Sequence, residues 1–189
     1  MKRNRKIIVY IATSADGHIA RPDGDTAWLD RPQPAGAYGM AAFFRSIDTI
    51  LWGRKTYDLA LARGPEGGLF GQEIKNYVFS HRPPAASMPG VEFVTEPIGA
   101  FAKRLRAAQG KDIWIMGGGG LIASFLDAGE IDEFIIHIIP VFIGEGIPLI
   151  QPRQRLVPLA LLSSRRYSDG VMRLHYRVLP QRKTKLVKA

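Results

Sequence analysis

The sequence contains no cysteine. Disulfides, thiolate metal ligands and a cysteine nucleophile are therefore excluded for all 189 residues. Long hydrophobic runs are also missing: the longest, residues 134–143, contains His137 and Pro140, and a membrane-spanning helix needs roughly 18 apolar residues. Residues 7–12 form an apolar segment too short for a secretory signal. These absences predict a cytoplasmic protein held together by an ordinary hydrophobic core, for which 46% hydrophobic residues suffice.

Several catalytic signatures are absent as well. The four histidines are scattered, without a His-x-x-x-His pair, so we predict no metal site. The nucleophile motif G-x-S-x-G does not occur, which removes support for hydrolase chemistry. Neither the G-x-G-x-x-G nor the Walker form of a phosphate-binding loop is present. Any nucleotide site must therefore be built from a different pattern.

The formal net charge of +9 is concentrated at the two ends of the chain. The positions 1–6 and 180–189 contribute eight positive charges, which leaves +1 for the segment between them. Chain ends are usually solvated, so we interpret most of this charge as exposed tails; weak polyanion binding is the alternative. We predict a single domain over residues 1–180, followed by a basic tail over 181–189.

The hydrophobic pattern alternates between strands and helices along the whole chain. It predicts an α/β fold with a mixed, mostly parallel sheet, helices on both faces and a C-terminal antiparallel hairpin closed by Ser168-Asp169-Gly170. Residues 14–25 are predicted to be a loop. Strands are predicted over residues 6–13, 49–52, 77–80, 92–94, 112–116, 131–139, 159–167 and 171–179. Helices are predicted over residues 37–45, 55–62, 97–109 and 121–128.

The segment 114–122 (WIMGGGGLI) is the strongest local motif. A buried strand leads through four glycines to a helix start, where free backbone N–H groups and the helix dipole favour an anion. Glycine also lets the backbone approach a pyrophosphate closely. A turn that serves only close packing would have the same composition, so phosphate binding and packing both stay open.

A second strand leads into a helix at residues 53–58 (GRKTYD). Arg54 and Lys55 stand at the positive end of the helix dipole, where cations are unfavourable unless an anion is bound. Thr56 can cap the helix or donate to a phosphate. The alternative is that both cations simply point into water.

Taken in order, these motifs resemble the dihydrofolate reductase superfamily, and in particular stand-alone relatives of the reductase domain of the riboflavin-biosynthesis deaminase/reductase. The resemblance covers residues 7–179 and implies the dihydrofolate-reductase-like three-layer fold and NADPH as cofactor. We also predict a homodimer, because the apolar segment 134–143 offers more hydrophobic surface than one sheet layer covers and the riboflavin-type reductases pair similarly. The matching segments are residues 14–20, 50–57, 78–81, 115–119, 132–134 and 139–146.

The resemblance also implies which residues bind NADPH. It implies that the residues after the strand that ends at Gly53 hold phosphates and that the serine at the end of the next strand lies beside the adenosine ribose phosphate. The glycine run would cradle the pyrophosphate, and Ala12 would lie against the nicotinamide. The complete implied set is Ala12, Gly53, Arg54, Lys55, Thr56, Ser80, His81, Met116, Gly117, Gly118, Gly119, Gly120, Leu121 and Ile122.

The substrate side departs from dihydrofolate reductase. Residues 37–40 contain no carboxylate where that family places its acid, and the supporting threonine would fall near Ile136. The resemblance therefore favours reduction of another small heterocycle, with 5-amino-6-(5-phosphoribosylamino)uracil as precedent. Dihydrofolate reduction and a catalytically silent NADPH-binding protein are the alternatives. No catalytic residue is assigned, and the substrate-side candidates are Trp28, Asp30, Tyr38 and Glu145.

Overall fold

The protein is described by a computed structural model that covers residues 4–62, 64, 74–84 and 88–180. The strands are Ile7–Ser14 (β1), His18–Ala20 (β2), Ile47–Gly53 (β3), Lys75–Phe79 (β4), Val91–Val94 (β5), Asp112–Gly117 (β6), Glu133–Ile139 (β7), Ile147–Pro148 (β8), Leu159–Arg166 (β9) and Met172–Val178 (β10). The α-helices are Met40–Ser46 (α1), Arg54–Ala62 (α2), Ile98–Ala107 (α3) and Gly119–Asp127 (α4). Two short 3-10 turns cover Ala27–Leu29 and Ala37–Gly39.

Eight strands form one sheet in the order β5-β4-β3-β6-β1-β7-β10-β9. The strands from β5 to β7 pair in parallel, whereas β10 pairs antiparallel with both β7 and β9. Strand β1 lies in the middle, with Val9 opposite Ile115 on one side and Phe134 on the other. The predicted mixed sheet with a C-terminal hairpin is therefore confirmed.

Both faces of the sheet are covered by helices, because the central strands are apolar on both sides. On one face Val9 packs with Phe101 of α3 and Phe125 of α4. On the other face Tyr10 packs with Phe43 of α1, and that cluster extends to Tyr57 of α2. The three-layer arrangement follows from these two cores. None of the described helices is long and apolar enough to cross a bilayer.

Two local predictions are wrong. Residues 14–25 are not all loop, because β2 lies within them and pairs antiparallel with β8 in a separate two-stranded sheet. The helix predicted over residues 37–45 starts only at Met40, since Tyr38 has a φ of 58° and Gly39 a φ of 89°. These left-handed conformations are incompatible with an α-helix, so the first residues form a 3-10 turn instead.

The basic N-terminal residues are only partly solvated, which corrects the expectation of an exposed tail. Arg5 is 4% exposed and forms an ion pair with Asp48. The Lys6 ammonium donates to the buried Glu133 carboxylate at 2.6 Å. The basic positions after residue 180, together with Lys2 and Arg3, lie outside the described residues.

Candidate functional site

The predicted cofactor motifs lie at one edge of the sheet. Parallel neighbours β4, β3 and β6 run in the same direction and therefore end side by side, at Phe79, Gly53 and Gly117. In open α/β sheets, ligands bind at this carboxyl edge. The fold thus brings together the glycine run, the Arg54 motif and Ser80, which are far apart in the sequence.

The turns after β3 and β6 touch each other. A Cβ on Gly53 would lie 3.3 Å from both the Gly117 carbonyl oxygen and the Gly118 nitrogen. A Cβ on Gly118 would lie 3.2 Å from the Thr56 Oγ1. Glycine at these two positions therefore allows the start of α2 to approach the start of α4, and the peptide bond between Gly117 and Gly118 is cis.

Helix α4 begins at Gly119, and its N-cap residue Gly118 has no side chain to accept a hydrogen bond. The N–H groups in the first turn of a helix have no partner within the helix. They face the carboxyl edge beside Thr56, so this end of α4 is suited to an anion. Packing also constrains the turn, because a Cβ on Gly119 would collide with the Pro148 carbonyl oxygen. A Cβ on Gly120 would lie 3.2 Å from the Gln151 amide oxygen.

The Arg54 side chain is held in place at the start of α2. Its Nε donates to both carboxylate oxygens of Asp58, at 2.8 and 2.9 Å, and its Nη1 donates to the Arg82 carbonyl at 3.1 Å. The guanidinium carbon lies 5.6 Å from the centre of the Phe93 ring. Arg54 is therefore oriented toward the segment that follows β4 rather than free in water, and Lys55 is exposed next to it.

Ser80 and His81 follow β4 in this segment. The Ser80 hydroxyl accepts a hydrogen bond from the Arg82 N–H at 3.2 Å, and the Ser80 N–H donates to the Val94 carbonyl at the same distance. His81 is exposed. Ser80 and Arg54 thus contact the same short turn, which places two predicted phosphate-binding residues together.

The remaining predicted cofactor residues are hydrophobic. Ile122 is buried completely in the core under α4, and Leu121 packs against the same core. Met116 is half-buried and packs on the other face of the sheet. Their side chains pack against the two cores and stabilise the turn. Their predicted role toward a cofactor therefore rests on backbone N–H and carbonyl groups.

The substrate-side candidates separate into two groups. Trp28 and Tyr38 pack in one cluster with Ala12, which also includes Tyr167 and Val171. The indole N–H of Trp28 is buried without a hydrogen-bond partner. The structure thus brings two aromatic candidates to the residue predicted to face the nicotinamide.

Tyr38 is the centre of a hydrogen-bond network. Its carbonyl accepts from the Tyr10 hydroxyl at 3.1 Å and from the Tyr167 hydroxyl at 3.0 Å. Its own hydroxyl donates to the Asp169 carboxylate. Arg31 Nη2 donates to the Asp169 carbonyl at 2.8 Å. Burial, together with the hydrogen bond to Asp169, raises the pKa of Tyr38 to about 12, so the phenol is protonated at neutral pH.

Asp30 and Glu145 do not join this cluster. Both are exposed, and their backbone N–H groups donate within local turns. The loop that carries Glu145 is instead held by Asp16, whose carboxylate accepts the N–H of Gly144 at 2.8 Å. Hydrogen bonds, above all from the Ser14 side chain, hold the pKa of Asp16 well below its usual range.

Sequence reasoning missed His137. It lies opposite Ala12 in the register of β1 and β7 and is 3% exposed, with its Nε2 3.5 Å from the Tyr10 hydroxyl. Burial, and then the charge of Arg173, lowers the pKa of His137 to about 4, so the imidazole is neutral at physiological pH. The signal was a polar residue interrupting an apolar strand. Ile136, near which the supporting threonine of dihydrofolate reductase would fall, packs in the core on the opposite face of the sheet.

In the described part of the chain, no group of three or more histidine or carboxylate side chains is placed to hold a metal ion. The site therefore consists of a backbone-rich edge with basic and hydroxyl side chains, next to an aromatic cluster around Ala12. Such an arrangement suits a phosphorylated ligand at the edge and a flat, uncharged group beside the aromatic residues.

Comparisons with known proteins find relatives over almost the whole chain. The chain is 38% identical over 173 residues to the Bacillus subtilis protein YwjB, covering 91% of this chain and 97% of that one. A crystal structure from a Shewanella species, named for riboflavin biosynthesis, superposes with a TM-score of 0.82 at 26% identity and covers 93% of this chain and 99% of that one.

A second solved structure comes from a longer protein. It is the diaminohydroxyphosphoribosylaminopyrimidine deaminase/5-amino-6-(5-phosphoribosylamino)uracil reductase of Thermotoga maritima, with a TM-score of 0.69 and 17% identity. The match covers 93% of this chain but 57% of that protein, and at this identity it shows the fold alone. The family model of the RibD C-terminal domain matches residues 93–173. The chain therefore belongs to the same family as YwjB, and its residues 93–173 match the family of the RibD C-terminal domain.

Proposed function

We propose that the protein is an NADPH-dependent reductase of a small heterocyclic substrate. The observation that carries the proposal is the meeting of two helix starts, those of α2 and α4, at the carboxyl edge of β3 and β6. One start has no capping side chain, and the other carries Arg54, Lys55 and Thr56. Two such ends suit the two phosphate-bearing parts of a dinucleotide.

The residues present fit NADPH. Gly117–Gly120 and Thr56 would hold the pyrophosphate, because a Cβ on Gly118 would close the space beside Thr56. Arg54 and Ser80, with Lys55 and His81 beside them, would hold the ribose phosphate, which carries about two negative charges. A Rossmann-type NAD site places a carboxylate on that ribose. Among the described residues, Arg54 pairs with one carboxylate, that of Asp58 on its own helix.

NADPH supplies the hydride when it is bound, so the chain has to position and shield the substrate. Ala12 is small enough to admit a flat ring against β1, and Trp28 and Tyr38 supply aromatic surface around it. The buried, neutral His137 and the protonated Tyr38 provide hydrogen-bonding groups without a formal charge. An uncharged, polar heterocycle matches this lining.

The precedent for the substrate is the one named for the Thermotoga maritima protein, 5-amino-6-(5-phosphoribosylamino)uracil. Dihydrofolate reduction is less well supported, since residues 37–40 carry no acid and Tyr38 occupies that region. A silent NADPH-binding protein would keep the carboxyl-edge residues and lack turnover. NADPH oxidation with a panel of pyrimidines and pteridines separates the enzyme from the silent binder.

Three further parts of the proposal concern the whole protein: one domain over residues 1–180, a cytoplasmic location and a homodimer. The apolar strand Glu133–Ile139 is largely used inside the subunit, because Phe134 and Ile139 are buried. The exposed apolar residues that support a dimer lie instead on β9 and in the loops before it. They are Phe142, Leu156, Leu159, Leu161 and Leu162.

Replacement of Arg54 tests the cofactor assignment. We expect Arg54→Ala to weaken NADPH binding about tenfold to a hundredfold and NADH binding less, because one charge-assisted contact contributes roughly 1.5–3 kcal/mol. Arg104→Ala is the matched control: its guanidinium lies 5.1 Å from the Phe101 ring centre and pairs with Glu96, in a similar setting away from the carboxyl edge. Both affinities are measured by fluorescence titration.

Single alanine variants of Lys55 and Arg82 complete the series, because Lys55 is next to Arg54 in the sequence and the Arg82 carbonyl accepts a hydrogen bond from Arg54. Either cation could therefore contact the ribose phosphate in place of Arg54. If no variant changes the ratio of the NADPH and NADH affinities relative to Arg104→Ala, the placement of the ribose phosphate is wrong. If the unmodified protein binds neither cofactor at millimolar concentration, the proposed function fails.

A further inference from the structure

A pocket of about 300 Å³ lies between α1 and the strands β7, β9 and β10, on the sheet face opposite α3 and α4. Its apolar wall includes Ile8, Phe43 and Ile135, and its rim includes Tyr38 and Gly39. This volume is at the lower end of the range for small-molecule sites. It is sufficient for an anionic group and a short part of the molecule that carries it.

Two arginines line the same side of this pocket. Arg165 of β9 and Arg173 of β10 are direct partners in the antiparallel register. Like charges directly opposite each other on neighbouring strands repel and destabilise the pairing. Within the part of the chain that the structure describes, neither arginine forms an ion pair. The repulsion between them is therefore not offset by a carboxylate.

One donor of these two arginines is buried and unsatisfied. Nε of Arg173 is buried and has no hydrogen-bond acceptor. The guanidinium carbon of Arg165 lies 5.0 Å from the centre of the Tyr167 ring. This cation–π contact orients the guanidinium over the ring and leaves its N–H groups available to an anion. A buried donor without an acceptor is unfavourable, and a planar guanidinium is suited to carboxylate and phosphate oxygens.

The other polar groups of the pocket are already occupied. The buried Glu133 carboxylate accepts hydrogen bonds from Lys6 at 2.6 Å and from the imidazole of His175 at 2.9 Å. The hydroxyl of Ser46 donates to the Phe43 carbonyl at 2.6 Å. The cationic character of the pocket thus comes from Arg165 and Arg173, and its one carboxylate is neutralised by other partners.

We propose that this pocket binds the carboxylate or phosphate group of a small-molecule ligand through Arg165 and Arg173. The site is separate from the carboxyl edge assigned to NADPH. It adjoins the aromatic cluster around Ala12 through Tyr38 and Tyr167, which belong to both. The proposal goes beyond the proposed function and does not require that NADPH binds.

The test is calorimetric titration of the full-length protein with inorganic phosphate and, separately, with acetate, in chloride buffer of constant ionic strength. Each titration is done with and without saturating NADPH, which would occupy the phosphate sites at the carboxyl edge. The variants are Arg165→Gln, Arg173→Gln and Arg173→Lys. Arg166→Gln is the matched control, because the neighbouring residue on β9 is exposed and points to the other face of the sheet.

We expect the unmodified protein to bind at least one of the two anions in the presence of NADPH. Each glutamine variant should weaken that binding about tenfold or more, and Arg173→Lys should restore it in part, because lysine keeps the charge without the planar fork. Arg166→Gln should change it less than about twofold. Comparison of phosphate with acetate identifies which anion is preferred.

Absence of binding of either anion to the unmodified protein would overturn the proposal. Equal affinities of Arg165→Gln, Arg173→Gln and Arg166→Gln would overturn it as well. Arg165 is on the exposed edge strand, so a variant at this position reports on binding even if a change at Arg173 disturbs folding. Failure of NADPH to bind would affect the proposed function and leave this result unchanged.

Discussion

Arg5 gives the most quantitative prediction about stability, because its side chain connects three elements at the amino edge of the sheet. Its guanidinium donates to the Lys111 carbonyl at 2.6 Å, to the Leu105 carbonyl at 3.3 Å and to the Thr49 hydroxyl at 2.7 Å, and it pairs with Asp48. The residue is 4% exposed. It therefore ties the start of β1 to β3 and to the C-terminal end of α3.

Replacing Arg5 by methionine keeps an unbranched apolar stem and removes every one of these donors. Removal of one partner of a buried ion pair destabilises a protein by about 3–5 kcal/mol. The Asp48 side chain is 29% exposed and also accepts the Lys111 N–H at 2.8 Å, so water and the backbone can compensate for part of the loss. We therefore expect the lower end of that range, about 3 kcal/mol.

Equilibrium urea unfolding measures this change as a shift of the midpoint at constant slope. Arg45→Met on the exposed surface of α1 is the control and should change the free energy of unfolding by less than about 0.5 kcal/mol. Asp48→Asn and the double variant complete a cycle whose coupling energy should exceed about 0.5 kcal/mol. If Arg5→Met and Arg45→Met unfold at the same urea midpoint, the contacts of Arg5 do not contribute to stability and the reasoning is refuted.

Three other changes are predicted. Gly119→Ala should destabilise the protein by about 1–3 kcal/mol, because its Cβ would collide with the backbone of β8. Gly99→Ala in α3 has open space and should stabilise the protein by roughly 0.5–1 kcal/mol, measured by the same urea unfolding. His137 has a folded pKa of about 4, below the ordinary 6.5, so the unfolded chain binds the proton first and up to about 3 kcal/mol of stability should be lost as the pH falls from 6.5 to 4. His137→Gln should flatten that pH profile of urea unfolding and His81→Gln should not. The unmodified protein should have a dimeric mass in light scattering at micromolar concentration and Leu161→Asp a monomeric one; a monomeric unmodified protein would contradict the dimer.

The amino-acid sequence was sufficient to predict the fold class and to locate the motifs that the fold brings together at the carboxyl edge. Strand β1 and helix α3 were located to within about two residues, because hydrophobic periodicity is a local property. The glycine run and the Arg54 motif could be placed at helix starts for the same reason. Their order along the chain, compared with a known family, then implied that they meet at one edge, and the strand order agrees with this.

Other features depended on contacts between distant residues and had no local signal. The pairing of β2 with β8 joins two very short segments more than one hundred positions apart, and neither has a distinctive pattern. The sequence predicts Arg5 in a solvated tail, and only the fold places Asp48 and the carbonyl of Lys111 beside it. The left-handed Tyr38 is maintained by hydroxyl groups from β1 and from the end of β9.

The same reason explains why His137, Arg165 and Arg173 were not recognised. A histidine in an apolar strand and two arginines in a hairpin are unremarkable in one dimension, and the register of β7, β9 and β10 decides which sheet face each side chain occupies. Local periodicity thus determined the elements and the two helix starts. The burial of His137 and the unpaired charge of Arg165 and Arg173 in their pocket depend on long-range strand pairing, and only the tertiary structure decided them.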